Sequence, residues 1–167
     1  MRFGVLTVSD RSYQGTRPDL SGPALVSAIE AKGWHIEKTA IVPDEIESIR
    51  EILQAWCDQD NIDVIITTGG TGFSPRDVTP EATLQVVERL TPGIPEAMRQ
   101  ASLAITSHAM LSRAIAGIRA GTLIINFPGN PKAALENFET IMPVLQHAVE
   151  LIRGDTNSEN HHTLGNR

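Results

Sequence analysis

Apolar and β-branched residues crowd positions 3–9, the composition of a short strand that opens the chain at once. A polar loop follows through Asp19. Ser21 then offers an N-cap for a helix over 23–32, with Gly33 to end it. Residues 35–42 return to a strand pattern. Asp44 reads as the cap of a helix whose apolar positions Ile46, Ile49, Ile52, Leu53 and Trp56 recur at helical spacing. Residues 62–68 make the third and most hydrophobic strand. Thr79 is placed to cap the next helix, with the favoured Pro80 at its first position.

A further helix is predicted over 94–104, then strands over 114–119 and 122–127 joined by a tight Ala120-Gly121 hairpin turn. Pro128-Gly129-Asn130-Pro131 ends the last strand, and a final helix covers 132–152. Strands alternating with helices predict an α/β, three-layer sandwich: a mostly parallel sheet covered on both faces, with an antiparallel hairpin near its edge. No repeat or linker divides the chain, so residues 1–153 read as one domain and 154–167 as a polar, flexible tail. The pair His161 and His162 in that tail is not read as a metal site.

Composition narrows the partners. At 167 residues, 41% of them hydrophobic, the chain is long enough to bury a core without staples. A formal net charge of −6 argues against general nucleic-acid affinity, although a small phosphorylated ligand meets only the local field. The single cysteine, Cys57, reads as a half-buried structural thiol. No apolar run is long enough to span a membrane, and no signal peptide is evident, so the expected location is cytoplasmic.

The chemistry concentrates after the third strand. Thr67-Thr68-Gly69-Gly70-Thr71-Gly72 follows the apolar run directly, and Arg76-Asp77-Val78-Thr79-Pro80-Glu81 comes just beyond. A glycine loop lets backbone N–H groups approach phosphate oxygens, and threonine hydroxyls add donors. The same residues also suit a plain strand-to-helix turn. In open α/β sheets, ligands collect at the carboxyl ends of strands, where Ser9-Asp10-Arg11, Pro43-Asp44-Glu45 and 128–132 also belong. Asp10, Asp44 and Asp77 are suited to Mg²⁺, and Arg11, Arg76 and Lys132 to phosphate. Asp44 also suits a helix cap, and the two other segments suit simple turns.

There is no G-x-x-x-x-G-K-[ST], no G-x-G-x-x-G after the first strand and no Ser-His-Asp set, and His108 reads as structural. If the attacking group is itself an ionised phosphate, no general base is required.

Taken in order, Val8-Ser9-Asp10-Arg11, Asp19-Leu20-Ser21-Gly22-Pro23, Val42-Pro43-Asp44-Glu45, the glycine loop with Arg76 to Glu81, Pro92-Gly93 with Glu96 to Arg99, Leu111-Ser112-Arg113 with Ala116 to Arg119, and Pro128 to Ala133 resemble the Mog/MoaB family of molybdenum-cofactor biosynthesis, which includes the gephyrin and plant Cnx G domains. The resemblance covers nearly the whole chain up to about residue 152. It implies a molybdopterin adenylyltransferase that moves AMP from Mg-ATP to the terminal phosphate of molybdopterin. It assigns Mg²⁺-dependent catalysis to Asp44 and Asp77. Nucleotide and pterin binding fall to Ser9, Asp10, Arg11, Thr68, Gly69, Gly70, Thr71, Gly72, Arg76, Ser112, Arg113, Pro128, Gly129, Asn130 and Lys132, with the segment of Ser112 and Arg113 open to the alternative of an interface. A homotrimer and hand-over of product to a molybdate-insertion protein are implied as well. The alternative is a non-catalytic molybdopterin-binding or scaffold module of the same fold. The insertion protein itself carries extra domains that these residues do not supply.

Overall fold

The computed structural model describes residues 1–59 and 61–154; the expectation for the tail otherwise lies outside the described residues. Six strands form one sheet in the order β2-β1-β3-β6-β5-β4. Strands β1 (Arg2–Val8), β2 (His35–Val42), β3 (Val64–Thr68) and β6 (Thr122–Phe127) run parallel to one another. Strands β5 (Ala116–Arg119) and β4 (Arg89–Leu90) complete the sheet through antiparallel pairings. The β5–β6 turn is tight, with φ of 47° at Ala120 and 87° at Gly121, the left-handed pair that a two-residue hairpin requires.

Alternation along the strands divides the core in two. Phe3, Val5, Val64, Ile66, Ile125 and Phe127 face one side, where they meet α2 (Ser21–Glu30), α5 (Gly93–Leu103) and α6 (Pro131–Arg153). Leu6, Val8, Ile65 and Ile124 face the other, against α3 (Ile46–Gln59) and α4 (Thr79–Leu84). Every residue of β3 is buried, because both faces of a central parallel strand are covered. Cys57 is buried in the second core, and burial pushes its thiol up to about 12. The predicted three-layer sandwich is therefore present. No helix among the described residues is long and apolar enough to cross a membrane.

Several expectations change in detail. Ser21 does not cap α2 from outside but is its first residue. The cap is supplied by Asp19, whose Oδ1 accepts from the Gly22 N–H at 3.0 Å and from Ser21 Oγ at 3.2 Å. Thr79 likewise lies inside α4, and its hydroxyl donates to the Gly69 carbonyl at 2.8 Å. Asp44 precedes α3, and its carboxylate accepts from the Asp10 N–H rather than from the first turn of that helix. Within the expected polar loop lies a one-turn helix, α1 (Asp10–Tyr13), capped by Ser9 Oγ. The two-residue strand β4 and a 3₁₀ turn over Ser107–Leu111 were also not foreseen.

At the amino ends of the strands, Asp63 is buried with 5% exposure. One of its oxygens accepts from the Arg2 N–H at 2.7 Å, and the other pairs with the Arg153 guanidinium at the end of α6.

Candidate nucleotide and pterin site

Opposite Asp63, at the carboxyl ends of β1, β2, β3 and β6, the loops surround a cleft of about 580 Å³. Ser9, Asp10, Arg11, Asp44, Thr68, Gly69, Gly70, Arg76, Asp77, Gly129 and Asn130 all line it. The four segments expected to converge at the sheet edge are thus together.

The glycine loop is shaped by close approach. Gly69 has φ of 109°, and a Cβ there would lie 2.2 Å from the Val8 carbonyl oxygen. Gly70 has φ of 62°, and a Cβ there would lie 2.4 Å from Thr79 Oγ1 and 3.2 Å from Asp44 Oδ1. Neither position has room for a side chain, so the loop backbone forms the wall of the cleft. The Gly69 N–H donates to the Phe127 carbonyl at 3.1 Å, and Thr68 Oγ1 to the Pro128 carbonyl at 2.8 Å. These bonds join the loop to the Pro128–Asn130 turn. Asn130 in turn caps α6, its Oδ1 accepting from the Ala133 N–H at 3.1 Å.

The three acids expected at the site stand along the cleft in different electrostatic settings. Asp10 and Asp44 exchange bonds between their loops: the Asp10 N–H donates to Asp44 Oδ2 at 2.7 Å, and the Asp44 N–H to Asp10 Oδ1 at 3.0 Å. Arg76 grips Asp10 with a fork, Nε to Oδ2 at 3.0 Å and Nη2 to Oδ1 at 2.8 Å. That guanidinium holds the Asp10 carboxyl below its ordinary range. Asp44 is half-buried, and burial pushes its carboxyl up; the charges of Asp10 and Asp77 add to the rise, while the Asp10 N–H and Arg76 oppose it. Asp77 is fixed by its own loop, Oδ2 accepting from the Ser74 N–H at 2.8 Å.

Among the described residues no three potential ligands cluster around a cation position. Two carboxylates are nevertheless the usual protein share of a Mg²⁺ site completed by substrate phosphates and water. Asp44 and Asp77 fit that role, since Asp44 faces the bare backbone of Gly70 and both acids line the same cleft. Asp10 is less available, being committed to Arg76.

A second, more apolar cleft of about 440 Å³ lies beyond the glycine loop. Thr71, Gly72, Ser112, Pro128 and Asn130 line it with Met98 and Arg99. The loop is therefore a partition, Thr68 to Gly70 on one side and Thr71 to Gly72 on the other, with Asn130 reaching both. Two expected ligand residues lie in neither cleft. Lys132 is 82% exposed and 3.8 Å from Glu136, its neighbour one turn on. Arg113 is turned onto the glycine loop itself, where it donates to the Gly72 carbonyl at 2.7 Å. His108, read as structural, is exposed and lines the second cleft.

Sequence reading gave no site role to Arg17 or to Asp19, which also line the first cleft. Arg17 is exposed and has no carboxylate within ion-pair distance among the described residues, a second free cation beside Arg11. Its signal was its place in the polar loop between β1 and α2, directly before a stretch rich in turn residues.

Residues 4–147 match the family described as a probable molybdopterin binding domain, and the chain belongs to that family. It is 42% identical over 160 residues to a molybdopterin adenylyltransferase of Helicobacter pylori strain J99, covering 93% of this chain and 89% of that one. It is also 48% identical over 165 residues to gephyrin of Dictyostelium discoideum, covering 93% of this chain but only 23% of that protein. The crystal structure of the molybdopterin biosynthesis enzyme MoaB from Thermus thermophilus superposes with a TM-score of 0.87 at 44% identity, covering 92% of this chain and 97% of that one.

Proposed function

We propose that this protein is a molybdopterin adenylyltransferase, a nucleotidyltransferase of molybdenum-cofactor biosynthesis. An oxygen of the terminal phosphate of molybdopterin attacks the α-phosphorus of ATP. The bond from that phosphorus to the bridging oxygen breaks, pyrophosphate leaves with the electron pair, and adenylyl-molybdopterin remains. The observation that carries this reading is the pair of clefts meeting at one glycine loop, the first lined among the described residues by four acids and three arginines, the second mostly apolar. The similarity to an adenylyltransferase along 89% of its length supports the same assignment.

The first cleft suits the triphosphate. Loop N–H groups and Arg11, Arg17 and Arg76 meet its charge, and Asp44 and Asp77 would hold Mg²⁺. When bound, that ion neutralises phosphate charge as it develops on the leaving group. The second cleft suits the pterin ring, with Asn130 at the junction where the two phosphates must meet. Among the described residues no histidine or cysteine lines the first cleft, in keeping with a nucleophile already ionised at neutral pH. The protein's contribution is to position the reactants and match their charge.

The exposed apolar side chains Leu103, Ile105 and Met110 support an assembled form, and we take it to be a homotrimer working in the cytoplasm and handing its product to a molybdate-insertion protein. The test of the function is pyrophosphate release from ATP and Mg²⁺ with and without molybdopterin. Release that requires molybdopterin is expected. Binding of both ligands without release would make the protein a binding module instead.

A further inference from the structure

Arg113 is the most heavily engaged cation near the clefts, yet it lines neither of the two proposed for substrates. Its Nε donates to the Gly72 carbonyl at 2.7 Å, one terminal nitrogen donates to the Asp77 carbonyl, and both terminal nitrogens pair with Glu81 in α4. Its own N–H donates to the Thr71 carbonyl at 2.9 Å. Of the five guanidinium N–H groups, four are thereby spent, and no free edge is left to fork a phosphate. The segment that carries it is fixed from the far side, because Arg99 Nη1 donates to the Ala114 carbonyl at 2.9 Å.

We propose that Arg113 is a positioning residue: it spans the glycine loop from Gly72 to Asp77, closes that loop onto α4 through Glu81, and so sets where the Asp77 carboxylate stands. Within the loop, Asp77 is otherwise held by the turn to Ser74, which is itself exposed. The guanidinium supplies what that turn lacks, a rigid plane bonded to both ends of the loop at once. Lysine cannot replace it, since a single ammonium cannot reach two carbonyls and a carboxylate in one plane. The role rests on the reading that Asp77 helps to hold Mg²⁺. It differs from the ligand-binding role expected from the sequence.

The test compares wild type with Arg113→Lys and Glu81→Gln. Amide exchange over residues 70–78 is measured with no ligand present, and pyrophosphate release is titrated with Mg²⁺ and, separately, with molybdopterin. For Arg113→Lys the loop amides are expected to exchange faster. The Mg²⁺ concentration for half-maximal rate should rise about 10- to 100-fold, the range seen when a partner behind a metal ligand is lost. The molybdopterin KM should change far less. Glu81→Gln, which keeps the guanidinium, should move both readouts the same way by a smaller amount, and it serves if Arg113→Lys does not fold. A raised molybdopterin KM with loop exchange and Mg²⁺ dependence unchanged would overturn the proposal, because Arg113 would then be a ligand contact. A lower melting temperature with both readouts unchanged would overturn it too. If wild type releases no pyrophosphate, the enzymatic reading fails separately. Loop exchange, together with Mg²⁺-dependent binding of ATP, then decides the role of Arg113 alone.

Discussion

Asp44 and Asp77 stand on different loops, and each invites its own experiment. Asp77→Asn keeps the shape of a half-buried polar loop residue but removes the charge, so folding should persist. Loss of a charged ligand to the metal is expected to cost about 3 kcal/mol in the transition state, about two decades in turnover. Full turnover by this variant with Mg²⁺ would remove Asp77 from the metal role. Asp44 makes a prediction in pH. Its carboxyl must be ionised to hold a cation, and burial raises its pKa above the ordinary 3.8. The acid limb of the rate profile should therefore lie higher than an ordinary aspartate would set it, and Asp44→Asn should lose that limb with most of the activity. Stability follows the opposite sign. A raised native pKa favours the protonated native state, so the contribution is present below the unfolded value and is lost as pH rises through the native one. Urea midpoints of wild type and Asp44→Asn, followed upward from pH 3.8, should diverge in that sense. The placement of both acids and of Gly69 and Gly70 at one cleft was legible in the sequence because their signals are local. The employment of Arg113 was not, since its partners at Gly72 and Glu81 lie 41 and 32 residues away. Lys132 shows the converse: its place at a helix start suggested an anion, but its side chain turns along α6 toward Glu136.

Among the elements, long periodic segments were readable and short ones were not. The ranges of β2 and β6 match the expected 35–42 and 122–127, because their ends carry clear turn residues. A four-residue helix at α1 and a two-residue strand at β4 are shorter than the repeat that would reveal them. Caps were misassigned where several polar side chains compete for the same N–H groups. The α2 terminus tests this point. Asp19 accepts from Thr7 Oγ1 at 2.6 Å as well as from Ser21 and Gly22, so it ties the helix to β1. Asp19→Ala is expected to destabilise by about 2 kcal/mol, whereas Ser21→Ala should cost less than about 1 kcal/mol. Chemical denaturation of the two variants measures the difference, and a larger loss for Ser21→Ala would restore serine as the cap.

At the scale of the whole molecule, the α/β sandwich could be anticipated but the order of its strands could not. A fully apolar run reports burial on both faces and is silent about which strand lies beside it. The β3–β6 pairing, Val64 against Leu123, is what brings the glycine loop next to the Pro128–Asn130 turn and so builds the wall between the clefts. Assembly is also a property of this scale: light scattering at micromolar concentration is expected to give three times the monomer mass, and a monomer would refute the trimer. Asp63 has a different kind of consequence. By holding Arg2 and Arg153 on a single carboxylate, it gathers the beginning and the end of the fold at the rim remote from both clefts. A polypeptide joined at either point would depart without obstructing the site, the arrangement that makes a unit portable between proteins. Dictyostelium discoideum gephyrin, of which the aligned residues make up 23%, is a longer protein that contains a stretch similar to this one.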